Sequence, residues 1–450
     1  MHIRHIALPA LTVLALLPQI SSAQLPPPPA ASTCPAEMPA GATCYTGEDG
    51  LGGFYWMALP AQWKPQTGVL VMHAHGGPAD TGPAKRERSE ADLKRWAVTV
   101  KAGYAWAGAS YRRGGFGVSM AAEDTERVRR IFVRHFGPPR RTLLHGQSYG
   151  AAVASRAAEL HAMVDGPNGQ VRGPYDGVLL TSGVLGGGTR AYDFRLDLRV
   201  VYQYVCKNHP RADEPQYPLW QGLPMDSKLT RAELATRVDA CTGVRKPAAQ
   251  RTEQQKANLA TLTQVMRIPE RSLIGHLNWA TWLFRDLTQL RLGNRNPFGN
   301  ANVRYKGSPD DAALNAGVQR YTADPAAVAE LAMDSDPQGK INVPVLTLHA
   351  VNDPTAFVEL ESAYREIVEG AGNGALLVQT FSDESEHSYL SEPQYPALFT
   401  ALLNWIDNKN KPTPQKVAAL CKGYEAAYGD TCRLLPDYRS APLASRVAPR

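Results

Sequence analysis

Short apolar runs alternate with amphipathic segments from about residue 51 to residue 185. The run TGVLVMHAHGGP (67–78) and the run YAWAGASY (104–111) are typical of buried strands, because apolar residues occupy successive positions. Segments 89–103 and 121–137 place apolar residues at helical spacing instead. This alternation predicts a mostly parallel sheet with helices on both faces.

The alternation stops after residue 185 and resumes at INVPVLTLHAVNDP (341–354). The segment between them, residues 186–339, is rich in aromatic residues and helical periodicity, so we expect a large, mainly helical cap inserted into the sheet domain. The α/β core then comprises residues 51–185 and 340–410, and residues 411–450 form a C-terminal tail.

The first residues have the pattern of an export signal. A basic start, an apolar run and small residues at Ser21 and Ala23 predict a signal peptide over 1–23. A Pro-rich leader (24–50) follows, which we expect to be an extended linker that becomes ordered near the first cysteine pair. No later segment approaches the roughly 20 apolar residues of a membrane helix. We therefore expect a secreted or periplasmic protein without a membrane span.

Six cysteines fall into three pairs that are close in sequence. An even number in an exported chain indicates disulfides, although six cysteines permit 15 connectivities. The short loops favour pairing of neighbours. The expected disulfides are Cys34 with Cys44, Cys206 with Cys241, and Cys421 with Cys432.

Charge and cysteine spacing exclude some classes of partner. The formal net charge of +6 is small for 450 residues. The densest basic stretch (126–141) is explained by a solvated face of a predicted helix and the residues just after that helix. We expect no nucleic-acid partner. The cysteines lack the spacing of a zinc site, so no metal is expected.

The segment LLHGQSYGAA (143–152) places Ser148 between two glycines, directly after an apolar strand and at the start of a helix of small residues. A bare G-x-S-x-G is a weak signal, and a glycine turn with an unreactive serine explains it as well. The strand–turn–helix context favours a nucleophile, since the sharp turn lifts the hydroxyl above the sheet edge.

The order HAHGGPAD, then KAGYAWAGASYRRGGFG, then LLHGQSYGAA resembles the α/β-hydrolases, in particular the catalytic domains of prolyl oligopeptidase-like and related esterase families. The resemblance covers roughly residues 60–185 and 340–408. It implies an α/β-hydrolase fold and a catalytic triad in the order Ser, acid, His.

Asp353 and His387 follow late strands, as this order requires of the acid and the base. Asp383 is the main rival acid, but it shares the loop of His387, which makes contact with the far side of the imidazole harder. His349 and His145 lie inside predicted strands, where a core or supporting role is expected. The predicted triad is therefore Ser148, Asp353 and His387.

An acyl-transfer intermediate needs backbone donors for its oxyanion. The amide of Tyr149, after the nucleophile, should be one donor, and Gly76 or Gly77 of the HGGP loop should supply the other. The glycines of YRRGGFG have no dinucleotide-binding register, so no cofactor is expected.

The triad does not identify which type of bond is cleaved, because the same three residues hydrolyse esters and amides. The favoured function is hydrolysis of a small or polymeric ester. One alternative is a peptidase or amidase of the prolyl oligopeptidase-like type, although relatives of that type usually carry a β-propeller before the hydrolase domain. Another alternative is a binding protein on an inactive scaffold. Tannase and feruloyl-esterase relatives carry cysteines where this chain has Gln147 and Ser388. The helical spacing of Trp279 and Trp282 in the cap favours packing over a pocket lining.

Overall fold

The computed structural model describes residues 26–77, 81–166 and 169–450. The predicted signal peptide (1–23) lies outside these residues. None of the helices in the described ranges has the length and apolar character needed to cross a bilayer.

Eleven strands occur in the described residues, and four of them (β4, β5, β9 and β10) are buried at every residue. Their bounds are β1 Ala30–Ser32, β2 Thr43–Glu48, β3 Phe54–Leu59, β4 Val69–Ala74, β5 Ala105–Ala109, β6 Arg141–Gln147, β7 Met163–Gly166, β8 Gly169–Arg172, β9 Gly177–Thr181, β10 Val345–Ala350 and β11 Leu377–Ser382.

The helices that precede the cap and those that follow it cover the sheet. They are α1 Arg86–Arg95, α2 Ala97–Lys101, α3 Val118–Phe136, α4 Tyr149–Leu160, α12 Leu360–Gly370, α13 Gln394–Asn408 and α14 Pro414–Tyr428. The helices of the cap region are α5 Gly188–Ala191, α6 Phe194–Cys206, α7 Arg231–Thr242, α8 Glu253–Met266, α9 Leu273–Asn278, α10 Asp311–Gly317 and α11 Pro325–Ser335. Two π turns, Trp279–Leu283 and Arg285–Arg291, extend α9.

Nine strands form one sheet in the order β1-β2-β3-β5-β4-β6-β9-β10-β11. The strands from β5 to β11 in this order are parallel, whereas β1, β2 and β3 pair antiparallel at one edge. One buried cluster packs under α3 and α4, and the other under α1, α2 and α13. The arrangement is the α/β-hydrolase fold with a helical cap, as the sequence predicts.

Local signals explain where the cap helices begin. Thr230 and Glu233 form a reciprocal capping box at the start of α7, and Thr252 with Gln255 does the same for α8. Such boxes satisfy backbone donors that have no acceptor within the first turn. The cap residues thus carry their own helix-start signals, which the aromatic pattern alone does not reveal.

The leader is joined to the sheet. The described part of residues 24–50 contributes β1 and β2, which extend the sheet beyond β3. Cys44 lies on β2 and is bonded to Cys34, so the leader is fixed to the core. The structure also joins Cys206 to Cys241 and Cys421 to Cys432. The predicted helix 89–103 is divided at Trp96 into α1 and α2, and the hairpin β7–β8 has no counterpart in the prediction.

The tail packs against the core and the cap. The Asp383 amide, just after β11, donates to the Arg433 carbonyl at 2.8 Å. At the other end of the tail, Arg450 forms ion pairs with Asp193 and Asp197 beside and within α6. The tail therefore connects the last strand of the sheet to the cap.

Candidate active site

Ser148 stands alone between β6 and α4, in a backbone conformation that L-residues rarely adopt. Its φ is 61° and its ψ is −125°. The Ser148 amide donates to the Thr181 carbonyl at 3.0 Å, and the Ser148 carbonyl accepts from the Val184 amide at 3.2 Å. These bonds to the end of β9 hold the strained turn in place.

The two flanking glycines are required by close backbone contacts. A β-carbon on Gly146 would lie 2.0 Å from the Gly150 carbonyl oxygen, and one on Gly150 would lie 2.1 Å from the Ala74 carbonyl oxygen. Neither distance is compatible with a side chain, because backbone cannot move away cheaply. The glycines therefore let α4 start directly above the ends of β4 and β6.

The structure brings the three predicted triad residues together. The Ser148 Oγ lies 2.7 Å from His387 Nε2, and His387 Nδ1 lies 2.7 Å from the Asp353 Oδ2. Asp383 is exposed and takes no part in this chain of bonds. The order Ser148, Asp353, His387 thus converges at the carboxyl ends of β6, β10 and β11.

The Asp353 carboxylate is fully enclosed and held from several sides. Its Oδ1 accepts the amides of Thr355 and Ala356 at 2.8 and 3.0 Å. Burial alone would raise the pKa of Asp353, but the neighbouring His387 and His349 lower it to about 2. The group therefore remains a carboxylate at neutral pH and can orient the imidazole of His387.

His349 lies behind Asp353 and faces acceptors on both ring nitrogens. Its Nε2 is 2.9 Å from the Ala356 carbonyl and 3.5 Å from Asp353 Oδ2, and its Nδ1 is 3.2 Å from Glu361 Oε1. Burial alone would lower the pKa of His349, but its contacts with the two carboxylates raise it to about 10. The two carboxylates thus favour the charged imidazolium form of His349, directly behind Asp353.

Glu361 is the anchor of this imidazolium and is itself fully buried. It also accepts from the Thr347 hydroxyl at 2.7 Å and the Gln379 side-chain amide at 2.6 Å. Sequence reasoning missed Glu361. A signal existed, because Glu361 stands three and seven residues before Tyr364 and Val368, on the apolar face of α12.

Gln147 and Ser388 lie next to the triad residues and touch each other. The Gln147 side-chain amide donates to the His387 carbonyl at 2.9 Å and lies 3.4 Å from the Ser388 hydroxyl. These hydrogen bonds fasten the loop of His387 to the end of β6.

The predicted oxyanion donors lie around the same point. Tyr149 is the first residue of α4, so its N–H has no acceptor within the helix. Gly76 follows β4, and a β-carbon there would lie 2.9 Å from the Gln147 carbonyl oxygen. Gly77 has a φ of 66°, and no atom of the described residues lies within 4 Å of the place where its β-carbon would stand. A side chain at Gly76 would thus collide with the backbone just before Ser148.

Helix α9 of the cap and the turn just before it contact the loops of Asp353 and His387. His276 Nε2 donates to the carbonyl of Pro354, next to Asp353, at 2.9 Å, and burial lowers the pKa of His276 to about 3. Arg271, just before α9, contacts Glu386, next to His387, at 3.1 Å. The cap is therefore in contact with the site through α9.

Among the described residues, no group of three or more His, Cys, Asp or Glu side chains is arranged to hold a metal ion. The histidines nearest the predicted oxyanion loop pair with other side chains. His73 and His145 face each other through Nδ1 atoms at 3.1 Å, and His75 bonds Asp92. His145 is thus a core residue, as expected from its place in β6.

Fold and site together define the class: the chain has the α/β-hydrolase fold, with a serine, a histidine and an aspartate hydrogen-bonded at the ends of its strands. No protein-family model matches the chain. No curated protein matches it either.

Solved structures with a similar fold include hydrolases of several kinds. An esterase from Aspergillus oryzae is 12% identical with a TM-score of 0.44, and 86% of each chain is covered. Candida antarctica lipase A in its closed state is 11% identical with a TM-score of 0.44, over 86% of this chain and 83% of that one. Porphyromonas gingivalis dipeptidyl peptidase 4 is 11% identical with a TM-score of 0.38, over 79% of this chain and 33% of that one. Likenesses this distant carry no inference about the substrate.

Proposed function

We propose that this chain is an exported serine hydrolase that cleaves carboxylic esters through an acyl-enzyme. The observation that carries the proposal is the continuous hydrogen-bonded chain from Ser148 through His387 to the buried Asp353. A serine hydroxyl is a weak nucleophile at neutral pH and needs a positioned base, which an acid must orient. The three disulfides are consistent with an oxidising compartment, either secreted or periplasmic.

In the first half-reaction, Ser148 Oγ forms a bond to the ester carbonyl carbon while its proton passes to His387 Nε2. The carbonyl oxygen becomes an oxyanion, for which the Tyr149 amide and an amide of the Gly76–Gly77 loop are the proposed donors. The bond between carbonyl carbon and alkoxide oxygen then breaks, and His387 returns the proton to the leaving alcohol. Asp353 accepts from Nδ1 throughout, which stabilises the transient imidazolium.

In the second half-reaction, water takes the place of the alcohol. His387 removes a proton from the water, whose oxygen bonds to the acyl carbon. Collapse of this second intermediate releases the carboxylic acid and returns the proton to Ser148 Oγ. Atoms and protons balance without a cofactor, and the residues described above perform every transfer.

The test compares wild type with Ser148→Ala on 4-nitrophenyl esters and on a fluorophosphonate probe. Removal of the nucleophile should lower kcat by about 10⁴-fold or more, and only the wild type should be labelled. Equal labelling of both proteins would contradict the proposal. Matched 4-nitrophenyl esters and 4-nitroanilides of the same acids distinguish an esterase from an amidase, since the amidase alternative requires amide turnover at least as fast as ester turnover.

A further inference from the structure

One oxygen of the Asp353 carboxylate lies between two imidazole rings. Its Oδ2 is 2.7 Å from Nδ1 of His387 and 3.5 Å from Nε2 of His349. The side chains of Asp353 and His349 are both 0% exposed, so water does not screen this contact. A charge on His349 therefore acts directly on the carboxylate that orients His387.

The partners of His349 require a proton on both ring nitrogens. Nε2 lies 2.9 Å from the carbonyl oxygen of Ala356, which can only accept a hydrogen bond. Nδ1 lies 3.2 Å from Oε1 of Glu361, which also only accepts while it is ionised. An imidazole that donates from both nitrogens carries a positive charge. The raised pKa of His349, caused by its two carboxylate contacts against the effect of burial, agrees with this reading of the geometry.

Donors hold Glu361 in its ionised form. Its Oε2 accepts from the Thr347 hydroxyl at 2.7 Å and from the Gln379 side-chain amide at 2.6 Å. The side-chain oxygen of Gln379 accepts from Arg365 at 3.2 Å, so the amide nitrogen is the end directed at Glu361. Hydrogen bonds donated to a carboxylate favour its charged form. Glu361 is thus an anion placed to keep the proton on His349.

The count of charges leads to the same assignment. With a neutral His349, the interior would enclose the carboxylates of Asp353 and Glu361 without a cation between them, and unpaired buried charges are costly. With a charged His349, one cation separates the two anions. The same positive charge disfavours a second one on His387, because like charges at close range oppose each other.

The strands beside His349 place uncharged residues next to it. Phe381 on β11 is its register partner, and Ser182, just after β9, lies on the other side, where its amide donates to the carbonyl of the residue before His349 at 2.8 Å. The charges that face His349 thus come from α12 and from the loop after β10.

The loop of His387 has charged neighbours of its own. The other titratable or charged groups on this loop, in contact with it or close to the ring are Asp383, Glu384, Glu386, Arg95, Arg271 and His276. Glu386 pairs with Arg271 at 3.1 Å, and burial lowers the pKa of His276 to about 3, so its ring is neutral at neutral pH. All six groups are retained in the variants below.

We propose that His349 is a positively charged positioning residue, which Glu361 holds behind Asp353 and which keeps His387 a neutral base into mildly acidic solution. The candidate triad is then the front of a buried chain of five side chains that ends at Glu361. The inference deepens the proposed function and rests on it for the role of His387 as a base.

The catalytic test follows kcat/KM for a 4-nitrophenyl ester between pH 5 and pH 9, where the fall at the acidic end reports protonation of the base. The double variant His349→Gln/Glu361→Gln removes both charges and leaves no unpaired carboxylate at position 361. Its acid limb should move upward by about 1–2 pH units, because the remaining Asp353 charge then favours the imidazolium of His387 without opposition. KM at the alkaline end should change less than about twofold.

A space-filling role for His349 predicts a different result. It lowers kcat by the same factor at every pH and leaves the acid limb in place, and that outcome would overturn the inference. His161→Gln is the matched control, since His161 is a partly buried histidine at the other end of α4, about 18 Å along the helix axis from its start beside Ser148. Its acid limb should stay where it is in wild type. An equal shift in this control would also overturn the inference.

NMR on Ser148→Ala with isotope-labelled histidine tests the charge without turnover. The ring of His349 should carry a proton on both nitrogens at pH 8, a measurement that decides even if the double variant does not fold. In the double-variant background, the ring of His387 should take up its proton at a higher pH than before.

The two readouts separate this inference from the proposed function. A neutral ring at His349, or an unchanged titration of His387, overturns the inference even if fluorophosphonate labels Ser148. A charged His349 and a shifted titration of His387, in a protein whose wild type is not labelled, support the inferred coupling and refute the hydrolase proposal.

Discussion

The backbone at Ser148 gives a prediction that can be measured without a substrate. Two variants, Ser148→Ala and Ser148→Gly, both remove the hydroxyl, but only the glycine variant removes the β-carbon. With φ at 61° and ψ at −125°, the backbone at this position lies in a sparsely populated conformational region that is strained for any residue with a β-carbon. Glycine adopts this conformation without the steric penalty.

The expected difference follows from three contributions. Backbone strain of this kind costs of order 1–3 kcal/mol, and we take about 2.5 kcal/mol for a position with this ψ. The greater freedom of glycine in the unfolded chain offsets about 0.7 kcal/mol, and the lost contacts of one buried carbon offset about 0.8 kcal/mol. Ser148→Gly should therefore be more stable than Ser148→Ala by about 1 kcal/mol.

The assay is equilibrium unfolding in urea with the disulfides intact, followed by tryptophan fluorescence. The two variants should share one slope and differ in midpoint. Ala152→Gly, within α4, is the matched control at a helical position and should lower the stability by about 0.5–1 kcal/mol. If Ser148→Gly is no more stable than Ser148→Ala, the turn is not strained as described and the reasoning fails.

Three further predictions concern the surroundings of the site. Gln147→Ala removes the donor to the His387 carbonyl, so kcat on a 4-nitrophenyl ester should fall about tenfold with little change in burst amplitude. The pKa of His349 is raised from 6.5 to about 10, so its stabilising contribution is complete below pH 6.5 and is lost toward pH 10. The urea midpoint of wild type should therefore fall more steeply between these pH values than that of His349→Gln. Arg450→Ala leaves the buried Asp197 carboxylate without its ion pair and should cost about 3 kcal/mol in urea unfolding.

Each of these three predictions has an experimental result that would contradict it. An unchanged kcat in Gln147→Ala would show that the loop of His387 is held by other contacts. Parallel pH curves for wild type and His349→Gln would show that the ring is not charged in the folded protein. A stability loss below 1 kcal/mol for Arg450→Ala would place its ion pairs among weak surface pairs.

The sequence predicts the parts of this molecule that depend on local pattern. Buried runs such as 69–74 and amphipathic segments such as 118–136 have periods that identify strands and helices, and their alternation identifies the sheet. The edge strands β1 and β2 lack such a signal, because they are short and partly exposed; β2 pairs with β3, and β1 pairs only with β2.

At the candidate site, too, the local pattern predicts some residues and not others. Ser148, Asp353 and His387 follow strands, so the order of the fold is enough to expect their proximity. The role of Glu361 depends on contacts with elements other than its own helix, and no local spacing encodes those contacts. A buried charge on an otherwise apolar helix face is the one hint that a sequence offers for such residues.

Helix α9 has a consequence for the timing of turnover. Through His276 it is bonded to the loop of Asp353, and Arg271, in the turn before it, touches the loop of His387. Any swing of the cap away from the sheet breaks both contacts and withdraws support from the two loops at once. Under the proposed function, a molecule opened in this way would hold Asp353 and His387 less firmly and would turn over ester more slowly until the cap had returned.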